Sequence, residues 1–305
     1  MNYQEPRQDS YSATWPEAST GLRSVAVVVT TKDARLVLAR AALLPLAPGA
    51  RVDILMKHGA DSSGSLGATL GPSGERLAAR LQAVRGRLSL VNLSADQEMT
   101  TAVERYSEQH RPQLVIIERE PKGGLHLLLS STPEKLARHG QLPVLIVRLP
   151  AERPYQHVMV GVDYSQVSHD ALELALRMKE PGTGRVDVIH LYDTSYALVM
   201  HQVGAPAGKL VSYYRKRLHE AEATLRDFLK PHLEGGANLH LLLRSGDPHA
   251  ELEEAAREQG SELLVLGKHA KQGLGHTLVG SVAEASVRRV QCDILIVPEA
   301  KRAWH

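Results

Sequence analysis

The 305-residue sequence contains one cysteine, Cys292, and few aromatic residues: one Phe, two Trp and nine Tyr. One thiol excludes an intramolecular disulfide framework and any zinc site built from several cysteines. Scarce aromatic side chains offer few platforms on which nucleic-acid bases could stack. No apolar run approaches the ~18 residues that a membrane-spanning helix requires, and the polar N-terminus does not read as a signal peptide.

Charges of the two signs balance, with 36 Lys and Arg against 34 Asp and Glu. This balance provides no basic stripe of the kind that nucleic-acid-binding domains carry. We therefore expect a cytoplasmic protein that binds neither nucleic acid nor membranes. Its length predicts two domains, each large enough to bury a core without covalent or metal staples.

The two halves of the chain resemble each other. GARVDILMKHG, from Gly49, matches TGRVDVIHLYD, from Thr183, and LPVLIVRLP, from Leu142, matches CDILIVPEA, from Cys292. The opening runs VAVVVTT and VMVGVDY also correspond, and the matches keep one order. Ordered matches of this kind indicate a tandem duplication. We predict a disordered N-terminal tail over residues 1–21 and a C-terminal tail over 301–305. Between them we predict two domains, over residues 22–150 and 151–300.

Each half alternates short β-branched runs with apolar residues at helical spacing, which is typical of parallel α/β domains. The fold class predicted is α/β, with two tandem open parallel five-stranded sheets and helices on both faces. The last strands of the halves, PVLIV and DILIV, would be aggregation hazards if exposed. We therefore expect the halves to pack through them as a pseudo-two-fold pair. Additional residues in the second half, around Thr194 to Lys209, predict a mobile loop.

Open parallel sheets bind ligands beyond the carboxyl ends of their strands. In the second half, Asp163 follows the first strand, where it could accept hydrogen bonds from a ligand or cap the next helix; capping is the commoner role. Ser165 and Ser168 are expected to be caps as well. The run Gly246-Asp247-Pro248 after the third strand is explained by a turn and a helix start.

The loop after the fourth strand has features that suit an anion. It runs from Gly267 to Ser281 and is rich in glycine, which lets backbone N–H groups approach a phosphate. Gly280 and Ser281 precede a predicted helix whose N-terminus would favour negative charge. Lys268 and Lys271 lie where a cation could screen a triphosphate. On spacing alone, a flexible loop with solvated lysines explains the same residues equally well.

These motifs together give the second half a resemblance to the universal stress protein family, and specifically to its ATP-binding branch. That branch carries Gly, two residues, Gly, nine residues, Gly and then Ser or Thr after the fourth strand. Here the run is Gly267, two residues, Ala270, nine residues, Gly280 and Ser281, so the spacing is kept and one glycine is replaced. The match includes Asp163 and spans the whole second half.

The resemblance implies an adenine-nucleotide alpha hydrolase-like fold and an ATP site in the second domain. Asp163 would hold the adenosine end of the nucleotide. The phosphate and ribose site, and its apolar or backbone contributors, would comprise Gly267, Ala270, Gly280, Ser281, Leu191, Leu266 and Val282. Ala270 departs from the pattern: if the position needs a positive φ, alanine costs about 1 kcal/mol there.

The first half differs at the matching positions. Thr30 stands where Asp163 stands, and Glu118 replaces the first glycine of the loop. Ser130 to Pro133 replace the Gly-Ser helix start, and a carboxylate at Glu118 would repel a phosphate. We interpret this site as degenerate and the first domain as a structural partner.

The resemblance implies a stress-response regulatory protein that binds ATP, with or without Mg²⁺, and has little or no catalytic turnover. The alternative is a scaffold or sensor that has lost nucleotide binding through Ala270 and acts through its surface or another small ligand. We predict no catalytic residues, because the sequence lacks a P-loop and the HIGH and SGGxDS signatures of adenylate-forming ligases and PP-loop ATPases. We predict no metal site, because no HExxH signature occurs. Expected partners are an adenine nucleotide and an unknown regulatory protein. Homodimerisation of the tandem chain and phosphorylation of Ser281 are left open.

Overall fold

The protein is described by a computed structural model that covers residues 21–30, 34–57, 66–119, 131–269 and 281–299. The predicted tails lie outside these residues, apart from Gly21. In the first half, the elements are β1 (Leu22–Val29), α1 (Arg35–Ala42), β2 (Leu46–Lys57), α2 (Leu66–Ala83), β3 (Arg87–Leu93), α3 (Met99–His110), β4 (Leu114–Glu118), α4 (Thr132–His139) and β5 (Val144–Val147).

The second half repeats this order and adds one helix. Its elements are β6 (His157–Gly161), α5 (Gln166–Met178), β7 (Arg185–Leu191), α6 (Tyr196–Gln202), α7 (Ala207–Glu234), β8 (Leu239–Arg244), α8 (Pro248–Glu258), β9 (Leu263–Lys268), α9 (Ser281–Arg289) and β10 (Asp293–Pro298). The residues around 194–209 therefore form α6 and the start of α7, and the expectation of a loop there was wrong. No helix in the ranges described has the length and apolarity needed to span a bilayer.

The strands form one ten-stranded sheet in the order β3-β2-β1-β4-β5-β10-β9-β6-β7-β8. Strands within each half pair in parallel, whereas β5 and β10 pair antiparallel, with Leu145 opposite Leu295. Pairing of these last strands removes the exposed edge that each half would otherwise present. The predicted fold class and the predicted packing through the final strands are both confirmed. The domain limits at 22–150 and 151–300 stay a prediction.

Helices cover both faces of the sheet, since side chains of successive strand residues point to opposite sides. One core cluster joins alternate strand residues such as Val158 and Val160 to α1, α2, α5 and α7. The other joins residues such as Met159 and Leu264 to α3, α4, α8 and α9. Both faces are therefore apolar, which explains the nearly continuous hydrophobic strands.

A buried carboxylate, Asp293, joins the halves beside the central strand pair. Asp293 is fully buried, and its Oδ1 accepts hydrogen bonds from the backbone N–H groups of Arg148 and Leu149 at 2.7 and 3.0 Å. Its Oδ2 accepts from the Tyr155 hydroxyl at 2.6 Å and lies 3.3 Å from Nε of Arg40. The Arg40 guanidinium also stacks over the Tyr155 ring at 3.8 Å. Four groups from both halves thus satisfy one buried charge.

Each half also caps a helix of the other. The Lys268 ammonium, at the end of β9, donates to the carbonyls of Ala137, Arg138 and Gly140 at the C-terminus of α4, at 3.1, 3.2 and 2.6 Å. In return, the Arg148 guanidinium donates to the carbonyls of Val287 and Val290 at the end of α9. Cations at helix C-termini satisfy free carbonyls and complement the helix dipole. The capped helices, α4 and α9, occupy corresponding places in the two halves, whereas the capping residues lie at the ends of different strands, β9 and β5.

Replacing Tyr155 by Phe tests the contribution of the buried carboxylate. Tyr155→Phe removes one hydrogen bond to a desolvated charge, so we expect the free energy of unfolding to fall by about 1.5–3 kcal/mol. Urea denaturation followed by circular dichroism measures this loss. Tyr214→Phe, on the exposed side of α7, is the control and should stay within about 0.5 kcal/mol. Equal effects of the two substitutions would contradict a stabilising role for the Tyr155–Asp293 hydrogen bond.

Candidate functional site

A crevice is expected at the carboxyl edge of the second half, where the helices that follow β6 and β9 lie on opposite faces of the sheet. β6 pairs with both β7 and β9. The chain continues after β6 into α5 on one face of the sheet, whereas the helix that follows β9, α9, lies on the other face. Such a switch in direction opens space between two neighbouring strands in open α/β sheets. The residues just after Gly161 and Lys268 border this space.

Asp163 and His269 meet across this edge. Nε2 of His269 lies 2.8 Å from Oδ2 of Asp163, and a carboxylate can only accept, so Nε2 carries the proton. The backbone N–H of Ser165 donates to Oδ1 of Asp163 at 3.1 Å, and the Ser165 hydroxyl donates to the same oxygen. Asp163 therefore does not cap α5. Ser165 does, because its Oγ accepts from the N–H of Ser168 at 3.2 Å.

These hydrogen bonds set the ionisation of Asp163. Burial alone would raise the pKa of its carboxyl, but the hydrogen bonds from Ser165 and His269 outweigh burial and lower the pKa from 3.8 to about 2. The Asp163 side chain is still 57% exposed. Oδ1 already accepts two hydrogen bonds, whereas Oδ2 accepts one and retains a lone pair, so the group can accept a further hydrogen bond from a ligand.

His269 was missed by the sequence analysis, and Lys268 was misassigned. We expected the Lys268 side chain in the loop, facing a phosphate; it is instead the buried last residue of β9, bound to the end of α4. Burial lowers the pKa of its ammonium to about 8. Successive residues point to opposite faces at a strand end, which sends Lys268 towards α4 and frees His269 for the crevice. The sequence did offer a signal for this role of His269, namely a histidine two residues after Gly267.

Three predicted apolar residues share one face of the sheet. Leu266 is buried in the cluster that lies against α8 and α9, and the half-buried Leu191 and Val282 pack on the same cluster. Gly161 makes room for Leu266, because a Cβ at position 161 would lie only 2.6 Å from a methyl carbon of Leu266. The structure thus brings Leu191, Leu266 and Val282 to one side of the candidate crevice.

The predicted phosphate-binding residues are described only in part. Gly267 lies in β9, where a Cβ would come within 3.1–3.2 Å of Val167, so its missing side chain lets the first turn of α5 approach the sheet. Ala270, Lys271 and Gly280 lie outside the described residues. Helix α9 begins at Ser281, as expected for the helix after this loop, and the description does not extend to the Ser281 side chain.

The charge at the start of α9 is balanced. Glu284 lies in the first turn, where its negative charge would oppose a bound phosphate. Arg138, from α4 of the first half, pairs with this carboxylate, and Arg288 lies 3.2 Å from the same oxygen. The helix N-terminus thereby keeps its capacity to attract an anion.

A second pocket, of about 130 Å³, lies beside the crevice and against α7. Its walls include Tyr164, His190 and Arg217. Tyr164 has a φ of 65° and lies with its ring centroid 4.2 Å from that of His190. Nδ1 of His190 lies 2.9 Å from the Val162 carbonyl oxygen, which can only accept, and burial lowers the pKa of the imidazole. His190 is therefore a neutral side chain with a protonated Nδ1.

The corresponding edge of the first half has a different composition. Thr30 follows β1, and its buried hydroxyl oxygen has no hydrogen-bond partner among the described residues. Glu118 is the buried last residue of β4. Helix α4 is capped by Ser131, whose Oγ accepts from the N–H of Glu134 at 3.4 Å, and Pro133 occupies its first turn. Residues 120–130 lie outside the description, and the interpretation of this site as degenerate stays a prediction.

The fold and the edge geometry define a tandem α/β protein with a candidate crevice at the carboxyl edge of its second half. The sequence profile described as "Universal stress protein family" matches the chain twice, over residues 21–148 and 154–298. The chain belongs to the universal stress protein family, in a tandem form.

Relatives agree with this assignment. The universal stress protein MJ0531 of Methanocaldococcus jannaschii is 30% identical over 154 residues, which cover 50% of this chain and 86% of the relative. A universal stress protein structure from Archaeoglobus fulgidus DSM 4304 superposes with a TM-score of 0.63 at 15% identity, covering 92% of this chain and 98% of that chain. A protein of unknown function from Pseudomonas aeruginosa PAO1 gives a TM-score of 0.65 at 20% identity, covering 92% and 93%. At these identities, the two structures show the fold alone.

Removing the His269 imidazole tests the pair with Asp163. We expect His269→Ala to raise the pKa of the Asp163 carboxyl from about 2 towards its ordinary value, because one of its two hydrogen-bonding side chains is lost. NMR titration of the carboxyl carbon measures this pKa. In the wild type, the stabilisation from ionised Asp163 is complete above the unfolded pKa of 3.8 and is lost as the pH falls to about 2. His249→Ala serves as the control, and an unchanged Asp163 titration in His269→Ala would exclude the pair.

Proposed function

We propose that the protein is a cytoplasmic regulator of the stress response whose second half binds ATP at the carboxyl edge of the sheet. The first half acts as a structural partner, and ATP occupancy controls the conformation or the binding of a regulatory protein. The observation that supports this most is the Asp163 carboxylate, half-exposed at the crevice beside β6, with a lone pair of Oδ2 available to a ligand. A carboxylate there suits the hydroxyl or amino donors of an adenosine.

The described residues fit such a ligand in three respects. Leu191, Leu266 and Val282 supply an apolar surface on one side of the crevice. Helix α9 begins at the same edge and presents the free N–H groups of its first turn to an anion. Arg138 neutralises Glu284 at that helix start. ATP bound here would place its phosphates at the start of α9, with or without Mg²⁺.

Little or no turnover is expected at this site. A general base for attack on a phosphate works best with a pKa near the working pH. The pKa of Asp163 is about 2, so its carboxylate is a weak base at neutral pH. The carboxylate is better suited to holding a ligand than to accepting its proton.

A second function is favoured by two features of the same edge. Ala270 occupies a position that is glycine in the ATP-binding branch which the second half resembles. His269 already pairs with the carboxylate that the nucleotide would use. On this alternative, the protein is a scaffold or sensor that acts through its surface or through another small ligand.

The ligand is tested by mass spectrometry of small molecules released from the denatured protein, together with calorimetric titration of the ligand-free protein with ATP. We expect about one adenine nucleotide per chain, because only the second half is expected to bind it. Asp163→Ala should weaken ATP binding by about tenfold, corresponding to the loss of roughly 1.4 kcal/mol from a charged hydrogen bond. Asp227→Ala, exposed on α7, is the matched control and should bind ATP as the wild type does.

Three results would change this assignment. Two nucleotides per chain would contradict a degenerate first half. Absence of heat with millimolar ATP and Mg²⁺ would contradict ATP binding. If Ala270→Gly then restored the heat, the site would have been lost at Ala270, as the scaffold alternative requires.

A further inference from the structure

A group of metal-binding side chains lies between α5 and α7, away from the nucleotide crevice. His169 and Glu173 are one helical turn apart on α5, so they share one face of the helix. His232 comes from the last turn of α7. One ligand atom from each of the three side chains lies within 4.8 Å of the others. The sequence predicted no metal site, because nothing in the spacing links His232 to the other two residues.

These side chains converge without satisfying one another. Nδ1 of His232 lies 3.6 Å from Oε1 of Glu173, which is beyond hydrogen-bond distance. The imidazole rings of His169 and His232 lie with their centroids 5.4 Å apart. The His232 side chain is only 11% exposed. Its Nε2 is buried and has no hydrogen-bond partner in the part of the chain described. A buried polar atom without a partner is costly and calls for an explanation.

Both histidines can offer a ring nitrogen to a metal ion. A neutral imidazole carries a free nitrogen lone pair, which is the form that binds metals. Phe228, one turn before His232 on α7, packs its ring edge-on to that of His169 at 6.2 Å and helps to orient it.

We propose that His169, Glu173 and His232 form a binding site for Zn²⁺. Two imidazole nitrogens and one carboxylate oxygen, with a fourth position open to water, are a known three-ligand zinc set. Ligand atoms about 2.0–2.2 Å from a tetrahedral zinc lie about 3.3–3.6 Å apart, so modest side-chain rotations bring these three into place. Mg²⁺ and Ca²⁺ prefer oxygen ligands and are disfavoured.

The position of the site indicates what bound zinc would do. α5 starts directly after Ser165, which holds Asp163, and α7 supplies Arg217 and Glu220 to the second pocket. A metal ion between the two helices would fix α7 against α5. This role is independent of ATP binding, since none of the three ligands borders the crevice.

The test is a zinc titration of tag-free, metal-stripped protein in competition with a chromophoric chelator. We expect the wild-type chain to take one Zn²⁺ from the chelator. The zinc affinity should be at least tenfold lower in each of His169→Ala, Glu173→Gln and His232→Ala. His219→Ala removes an exposed histidine on α7 and is the control, with unchanged affinity. Co²⁺ in place of Zn²⁺ should give visible absorption bands that the same three variants lose.

Glu173→Gln keeps the side-chain volume, so it reports on the site even if His232→Ala fails to fold. Bound zinc should also raise the thermal midpoint of the wild type progressively as the zinc concentration increases, and raise that of Glu173→Gln less. Failure of the wild type to compete with the chelator would overturn the proposal. Equal zinc affinity in the wild type and Glu173→Gln would overturn it as well, because the ion would then lie on other histidines.

Discussion

The antiparallel pairing of β5 with β10, closed by the buried Asp293 carboxylate, is the contact on which the rest of the structure depends. The pairing joins two five-stranded sheets into one and leaves neither final strand as an exposed edge. Asp293 is tolerated without solvent because Arg40, Tyr155 and two backbone N–H groups surround it. A buried charge with this many partners requires both halves to be in place, so it links their folding.

The same junction reaches the candidate nucleotide site through two consecutive residues. Lys268 is buried and anchored to the last carbonyls of α4, in the first half. His269, the next residue, pairs with Asp163 in the second half. Arg138 of α4 also neutralises Glu284 at the start of α9. The first half, whose own edge carries Glu118 and Thr30, therefore contributes to the geometry and charge of its partner's site.

Local sequence signals predicted the elements and their termini well. The repeated RVD run, the β-branched strands and the Asp247-Pro248 helix start all depend on neighbours in the chain, and Asp247 does cap α8 by accepting from the N–H groups of His249 and Ala250. Predictions failed where side-chain direction mattered: Lys268 faces α4, and Asp163 does not cap α5, although Ser165 does as expected. The residues near 194–209 form α6 and the start of α7, and the burial of Ala197 in α6 is a tertiary contact that composition alone does not reveal.

The sequence by itself determined that the chain is a duplicated α/β protein, that its last strands need covering, and which family's motifs its second half carries. Those properties follow from periodicity, turn chemistry and residue spacing, which act over short stretches of chain. Only the tertiary structure decided that His269 meets Asp163 and that His232 meets His169 and Glu173. Residues so far apart in sequence become neighbours through the packing of helices on the sheet, and that packing is set by the combined burial of many apolar side chains.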